Sequence, residues 1–253
     1  MKCTVEICCG SYYDAKQAEL GGATRIELNS ALFLGGLTPS VGSLRLSKEN
    51  TSLKVITMVR PRAGGFCYLE EDYRTLLKDV ESMMENGADG IAFGILDKTG
   101  MIDLDKCKQV ITLVKRYGQE KEIVFHRAFD CVSNPYEAIE TLIELGVDRI
   151  LTSGLQAKAV HGMKLLKELQ DKYGNQIELL AGSGINANNA VDFMKETKIN
   201  QVHSSCKQWL IDETTTMENV SYAYHDMNDY DVVSSELVEE LINECNVLKQ
   251  DVD

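Results

Sequence analysis

The sequence has no apolar run approaching the ~20 residues that a membrane-spanning helix needs, so a spanning segment is excluded. Its eight cysteines, at positions 3, 8, 9, 67, 107, 131, 206 and 245, contain no CxxC pair and no paired metal-ligand spacing. A disulfide framework and a structural zinc site are therefore not expected, and reduced thiols in a cytosol are. Runs of lysine and arginine are also missing, and the formal net charge is −13. That charge repels nucleic-acid phosphates and anionic lipid surfaces, so neither nucleic acid nor membrane is an expected partner. Any anionic partner must be small and held where arginines are locally concentrated. Where an open dinucleotide-binding sheet would carry GxGxxG, the chain has Cys9-Gly10-Ser11-Tyr12, which disfavours that fold. No linker or low-complexity segment divides the chain. Glu6 interrupts the first apolar run, which argues against an export signal.

What is present is an internal repeat. Gly22-Ala23-Thr24-Arg25-Ile26-Glu27-Leu28, Gly87-Ala88-Asp89-Gly90-Ile91-Ala92-Phe93 and Gly146-Val147-Asp148-Arg149-Ile150-Leu151-Thr152 share one pattern, and Lys198-Ile199-Asn200-Gln201-Val202-His203-Ser204 is a degenerate copy. In the first three a glycine suited to end a helix precedes a strand-like apolar run. Four further runs, Thr4 to Cys8, Lys54 to Val59, Glu122 to His126 and Ile177 to Ala181, bring the expected strands to eight. Between them lie amphipathic stretches such as Glu70 to Glu85, Asp103 to Arg116, Pro135 to Leu145 and Ala157 to Tyr173, with apolar residues three and four apart. Eight strand–helix units in 253 residues predict an α/β fold, a single-domain (β/α)8 TIM barrel over 1–253. After Ser205 the pattern loosens through Asp226 to Asp231, then Ser234 to Lys249 reads as a closing helix. Residues 206–253 thus form a C-terminal extension.

Barrel strands bury apolar side chains outward against helices, so polar residues within a strand mark the inner face. This phase puts Glu6 and Cys8, Glu27 and Asn29, Ile56, Met58 and Arg60, and His126 inside. His203 occupies the repeat position of Glu27. Buried carboxylates need partners, and Arg60, His126 and His203 are the candidates for Glu6 and Glu27. Polar residues late on barrel strands belong to the active end, so Glu6, Glu27, His126, Asp130 and His203 are the expected catalytic group. Arg60-Pro61-Arg62-Ala63-Gly64-Gly65-Phe66 offers two arginines beside glycines as an anion clamp. Arg127 and Ser153 add to it, and Gly182-Ser183-Gly184, before a helix starting near Asn188, offers backbone N–H groups to an anion. A structural network would explain any one of these residues, whereas the whole set points to an enzyme acting on a small anionic metabolite.

The segments Val5-Glu6-Ile7-Cys8, Arg25-Ile26-Glu27-Leu28, Gly35-Gly36-Leu37-Thr38-Pro39-Ser40, Arg60-Pro61-Arg62, Phe125-His126-Arg127-Ala128-Phe129-Asp130, Leu151-Thr152-Ser153-Gly154 and Val202-His203-Ser204-Ser205 together resemble the CutC family. The resemblance runs through nearly the whole chain. It implies a (β/α)8 barrel, a cytoplasmic protein, a homo-oligomer, and a link to copper homeostasis with Cu(I) binding. Family members often carry one cysteine in the first strand and another directly after the Ile-Glu-Leu of the second. Cys8 fits the first position, and Asn29 stands at the second. Ala63 and Ser183 likewise stand where glycine is common. The resemblance thus makes Cys8 the metal-ligand candidate, and because Cu(I) prefers soft ligands, the inward-facing Met58 is the candidate second ligand. Two functions are expected, a copper-handling protein or an enzyme of hydrolase, lyase or isomerase type.

Overall fold

The computed structural model describes residues 3–247. Its centre is a closed barrel of parallel strands: β1 (Thr4–Cys9), β2 (Arg25–Leu28), β3 (Lys54–Met58), β4 (Gly90–Phe93), β5 (Glu122–Phe125), β6 (Arg149–Thr152), β7 (Glu178–Ala181) and β8 (Gln201–Ser204). The crossovers carry α1 (Tyr12–Leu20), α2 (Val41–Asn50), α3 (Glu70–Glu85), α4 (Leu104–Lys115), α5 (Pro135–Glu144), α6 (Met163–Tyr173) and α7 (Ala187–Thr197). The predicted (β/α)8 architecture is the observed one.

Local chemistry explains the boundaries. Ser11, Ser40, Asp103 and Asn134 each cap a helix by accepting from a backbone N–H of the first turn, and Pro135 follows Asn134 at the first helical position, where its missing N–H costs nothing. Gly22, Gly87 and Gly146, the repeat glycines, take φ of +92°, +92° and +74°. That left-handed conformation turns the chain out of a helix toward the next strand. In the degenerate copy Lys198 adopts it instead, at φ +62°, a conformation that costs a side-chain-bearing residue about 1 kcal/mol or more.

Alternation along the strands sorts the interior. Val5, Ile7, Ile26, Val55, Ile91, Phe125 and Ile150 pack outward in the core shared with the helices. Ile56, Ala92, Val124, Leu151 and Leu180 form a separate apolar layer. Their phase on the strands turns them inward, so they fill the barrel at mid-height. The next inward positions toward the N-terminal end are charged. Arg149 reaches Glu122 at 3.0 Å, Glu178 at 2.6 Å and Gln201 Oε1 at 3.0 Å, while Arg25 donates to the same Gln201 oxygen at 2.7 Å and Lys54 pairs with Glu122.

Three boundaries differ from expectation. The stretch from Ala157 is not one helix. A 3₁₀ turn at Ala159–His161 precedes α6, and Gly162 lies so close to Ser153 that an added Cβ would stand 2.1 Å from its carbonyl oxygen. The extension holds structure that its irregular pattern hid. β9 (Lys207–Ile211) pairs antiparallel with β12 (Asp229–Val233), and β10 (Thr216–Met217) with β11 (Val220–Ser221). Ile211, Tyr222 and Met227 are exposed there, so burial imposes no alternation. The closing helix is α8 (Ser235–Val247), and Lys249 lies outside the described residues. The extension is anchored where Asp14 Oδ1 accepts from Val233 N at 2.9 Å and where Phe33 stacks on Tyr224 at 4.7 Å.

Candidate functional site

Strand register assembles the site. β1 closes against β8 with Glu6 opposite His203, and pairs with β2 with Cys8 opposite Glu27. Neighbouring inward side chains from three strands therefore meet. His203 Nδ1 lies 2.9 Å from Glu6 Oε1, and His203 Nε2 lies 3.9 Å from Glu27 Oε2. Cys8, Glu27 and His203 each offer one ligand-type atom within 4.8 Å of the others. Asn29 Nδ2 donates to Glu27 Oε2 at 2.9 Å and approaches Cys8 Sγ at 3.7 Å. Asn29 thus takes part in the cluster as a hydrogen-bond donor.

The cation expected beside Glu6 is not Arg60. Arg25 Nε contacts Glu6 Oε2 at 2.7 Å, and His203 takes the other oxygen. Burial by itself would raise the Glu6 carboxyl, but Arg25 and His203 outweigh it and hold it at about 2. Burial likewise opposes charge on His203, yet Cys8, Glu6 and Glu27 raise it well above the ordinary histidine value. Glu27 is pushed up by burial and further by Glu6, with His203 and Asn29 opposing. Two carboxylates on one imidazole are thereby driven in opposite directions. The Cys8 thiol is pushed up, chiefly by burial against the opposing pull of His203; it is not an activated thiolate.

Beside this cluster opens a cavity of about 590 Å³, lined among others by Cys8, Glu27, Asn29, Met58, Arg60, Phe66, His126, Arg127, Gly184 and His203. His126 Nδ1 accepts from Ala128 N at 3.0 Å, so the neutral ring carries its proton on Nε2. Burial, reinforced by Arg60, lowers its pKa to about 3, and the neutral form prevails. Gly94 makes room for the ring, since a Cβ there would stand 2.6 Å from His126 Cε1. Arg60 is 6% exposed, and its guanidinium donates to the carbonyls of Leu34, Gly36 and Gly64 at 3.0, 2.9 and 2.6 Å. Among the described residues it has no carboxylate partner. Glu27 Oε1, Asn29 Oδ1 and His126 Nε2 are likewise buried without a hydrogen-bond partner.

Other expected site residues lie elsewhere. Arg62 turns away from Arg60 to Asp72 at 2.7 Å and to the carbonyls of Ala63, Gly65 and Cys67, so the two arginines do not form one clamp. Asp130 accepts from Arg127 Nε at 2.7 Å, Thr152 Oγ1 at 2.6 Å, Ser153 N at 3.0 Å and Leu155 N at 3.2 Å. It ties the β5 and β6 loops together and holds Arg127. Ser153 is fully buried and serves the same knot, its Oγ receiving from Arg127 and donating to Asp130. At the Gly182–Gly184 turn, Ser183 donates to Ala157 O, while Asn186 and Asn189 side chains accept from the Asn188 and Asn186 amides. Of the N–H groups expected to hold an anion, that of Gly182 already donates to Thr152 O at 3.0 Å, while Gly184 lines the cavity.

Sequence reasoning overlooked Arg25, Arg149 and Gln201. The signal was in the repeat, where these three occupy one aligned position, two residues before the inward Glu27, Leu151 and His203. Phe66, Lys207 and Leu237 also line the cavity, and nothing local in the sequence marks them.

A closed α/β barrel with a buried acid, imidazole and thiol cluster opening on a cavity at the C-terminal ends of its strands defines the class, a (β/α)8 barrel with an active-end pocket. The CutC family sequence model matches residues 3–208. A CutC family protein of Treponema denticola is 44% identical over 220 residues, covering 87% of each chain, and one of Bacteroides fragilis is 41% identical over 204 residues, covering 80% of each. The solved structure of a CutC protein from Streptococcus agalactiae superposes with a TM-score of 0.75 at 29% identity, over 80% of this chain and 98% of that one. The chain belongs to the CutC family. No helix among the described residues is long and apolar enough to cross a membrane.

Proposed function

We propose that the chain is a cytosolic enzyme that performs proton-transfer chemistry on a small anionic metabolite in the barrel cavity. The observation that carries this reading is the set of buried polar groups at the cavity without protein partners, Glu27 Oε1, Asn29 Oδ1 and His126 Nε2, beside an Arg60 lacking a carboxylate. Leaving such atoms unpaired costs roughly 1–3 kcal/mol each, a cost that a bound ligand relieves. Arg60 supplies the charge that attracts the anion, and the neutral His126 Nε2–H donates to a developing oxyanion without surrendering its proton. Across the cluster, Glu27 and His203 have their proton affinities set by opposed environments, the arrangement that separates acid and base roles. Glu6 orients His203.

The test is a thermal-shift screen of small carboxylates and phosphate esters, with stabilising compounds then incubated in D2O and followed by NMR. Deuterium incorporation into a stabilising compound is expected from the parent and lost in Glu27→Gln and His126→Asn. If those variants exchange at the parent rate, the reading is wrong.

A second reading, Cu(I) handling, is favoured by Cys8 and Met58 lining the same cavity and by the copper-homeostasis name carried by the Streptococcus agalactiae relative. Cu(I) would be cargo, and a thiol with a thioether is a soft donor pair. Anaerobic Cu(I) titration against a strong chelator tests it; parent-level affinity in Cys8→Ser removes Cys8 from any copper site.

A further inference from the structure

The geometry points to a binding site for a borderline divalent metal ion, with zinc as its type, formed by Cys8 Sγ, a Glu27 carboxylate oxygen and His203 Nε2. This goes beyond the proposed function and does not require it, since it gives Glu27 and His203 the role of ligands in place of acid and base. Cys8, Glu27 and His203 belong to three adjacent barrel strands, and their ligand-type atoms lie within 4.8 Å of one another. Ligands bound at about 2.0–2.3 Å around a tetrahedral zinc are roughly 3.4–3.8 Å apart, so a closure of about an ångström brings the three atoms to coordination distance.

Each ligand is already oriented. Glu6 Oε1 engages His203 Nδ1 at 2.9 Å, leaving Nε2 to face Glu27, and a carboxylate behind a ligating imidazole is the recurrent outer partner of zinc-bound histidine. Of the Glu27 oxygens, Oε2 lies 3.9 Å from His203 Nε2 and accepts from Asn29 Nδ2 at 2.9 Å, which fixes the carboxylate, while Oε1 is buried without a hydrogen-bond partner; each keeps a lone pair for an ion. Glu27 is 3% exposed. The cavity beside the three residues supplies the open fourth position that distinguishes catalytic from structural zinc sites.

The donor set selects the metal class. One sulfur, one nitrogen and one carboxylate oxygen suit Zn²⁺ or Co²⁺, whereas Cu(I) calls for more soft ligands and Mg²⁺ or Ca²⁺ for an all-oxygen shell. The second grouping, His225, Asp226 and Asp229, lies on the extension. His225 Nδ1 is held by Asp229 at 2.9 Å and the ring is stacked on Trp209 at 3.6 Å.

The test uses the full chain stripped with chelator and titrated with Zn²⁺ against a competing chelator, together with Co²⁺ loading followed by absorption. One ion per chain is expected, with a sulfur-to-cobalt charge-transfer band. Cys8→Ser should abolish the band. Glu27→Gln and His203→Asn should each weaken Zn²⁺ affinity by at least about a hundredfold, and Glu6→Gln by roughly 10–100-fold. His225→Ala should leave affinity unchanged. Circular dichroism checks each fold, and if His203→Asn does not fold, Cys8→Ser and Glu27→Gln decide. Parent-level affinity in Cys8→Ser and Glu27→Gln, a cobalt complex without the sulfur band, or loss of binding in His225→Ala overturns the proposal. Zinc binding without deuterium exchange on any compound would retain this site and reject the acid–base reading; exchange without zinc binding would do the reverse.

Discussion

The two ends of the barrel are built from the same kinds of residue and treat them differently. At the N-terminal end Arg149 is bonded to Glu122, Glu178 and Gln201, and Arg25 to Gln201 and Glu6. At the C-terminal end the Arg60 guanidinium donates to three backbone carbonyls and lies over the Phe66 ring, with no carboxylate partner among the described residues, and Glu27, Asn29 and His126 each keep a buried atom without a hydrogen-bond partner there. Between them lies the apolar layer of Ile56, Ala92, Val124, Leu151 and Leu180. The network at one end is closed, and the proposed function makes the open one at the other the place where a ligand binds. Glu6 belongs to both, with one oxygen on Arg25 and the other on His203.

Acid should act on the open end first. The His126 pKa is lowered to about 3 by burial and Arg60, so folding favours the neutral ring. Its contribution is complete above the unfolded value near 6.5 and is lost as pH falls toward 3. Glu6, held at about 2 although burial opposes it, contributes above its unfolded value near 4.5, and that is lost as pH falls through 2. His203, raised well above 6.5 by its partners against burial, runs the other way; its contribution holds below 6.5 and fades as pH climbs through the folded value. Stability should therefore fall by on the order of 5 kcal/mol between pH 6.5 and 3. Urea unfolding across that range measures it, and His126→Asn should flatten the upper part of the decline. A variant curve identical to the parent's would show that the open end does not govern acid sensitivity.

The closed end should be costly to open at neutral pH. Arg149→Leu takes a partner from Glu122, Glu178 and Gln201 at once, leaving Lys54 on Glu122, Arg25 on Gln201 and a half-exposed Glu178, so the loss should fall toward the lower end of the roughly 3–5 kcal/mol that breaking a buried network costs. Denaturant midpoints read this directly. A loss below about 1 kcal/mol would mean that the network tolerates opening as readily as the mouth does, and the contrast between the ends would collapse.

Much of this contrast was legible in the sequence. Outward apolar positions fixed the phase of each strand, and that phase put Glu6, Glu27, His126 and His203 inside. What the phase left open was height and partner. Arg25 lies two residues before Glu27, one inward step down, and this spacing made it the partner of Glu6 in place of Arg60. The Arg60-Pro61-Arg62 run could not reveal its own divergence, because it leaves the strand at Met58 and obeys loop contacts thereafter. The hairpin of β9 and β12 was hidden for a different reason, since a ribbon with little buried surface carries no compulsory alternation.

Glu27→Gln probes the open end without removing a closed partner. The carboxylate has one unpartnered oxygen and is pushed toward its protonated form, mainly by burial, so a neutral amide of equal size should shift stability by no more than about 1 kcal/mol in either direction. The same substitution is expected to weaken the Zn²⁺ response and to remove deuterium exchange. Thermal melts with and without Zn²⁺ separate the two effects, and a destabilisation matching that of Arg149→Leu would mark Glu27 as structural.

The smallest effect is expected at Arg62, which sequence proximity pairs with Arg60 but the fold does not. Its side chain is 36% exposed and its carboxylate partner is Asp72, at the start of α3. Exposed ion pairs are worth a few tenths of a kcal/mol to about 1 kcal/mol, so Arg62→Ala should lower stability by less than about 1 kcal/mol. It should also leave thermal shifts by anionic compounds unchanged, because Arg60, Arg127 and Lys207 line the cavity and Arg62 does not. Should Arg62→Ala erase those shifts, the two arginines act together after all, through a rearranged loop, and the open end would extend beyond the barrel's inner face.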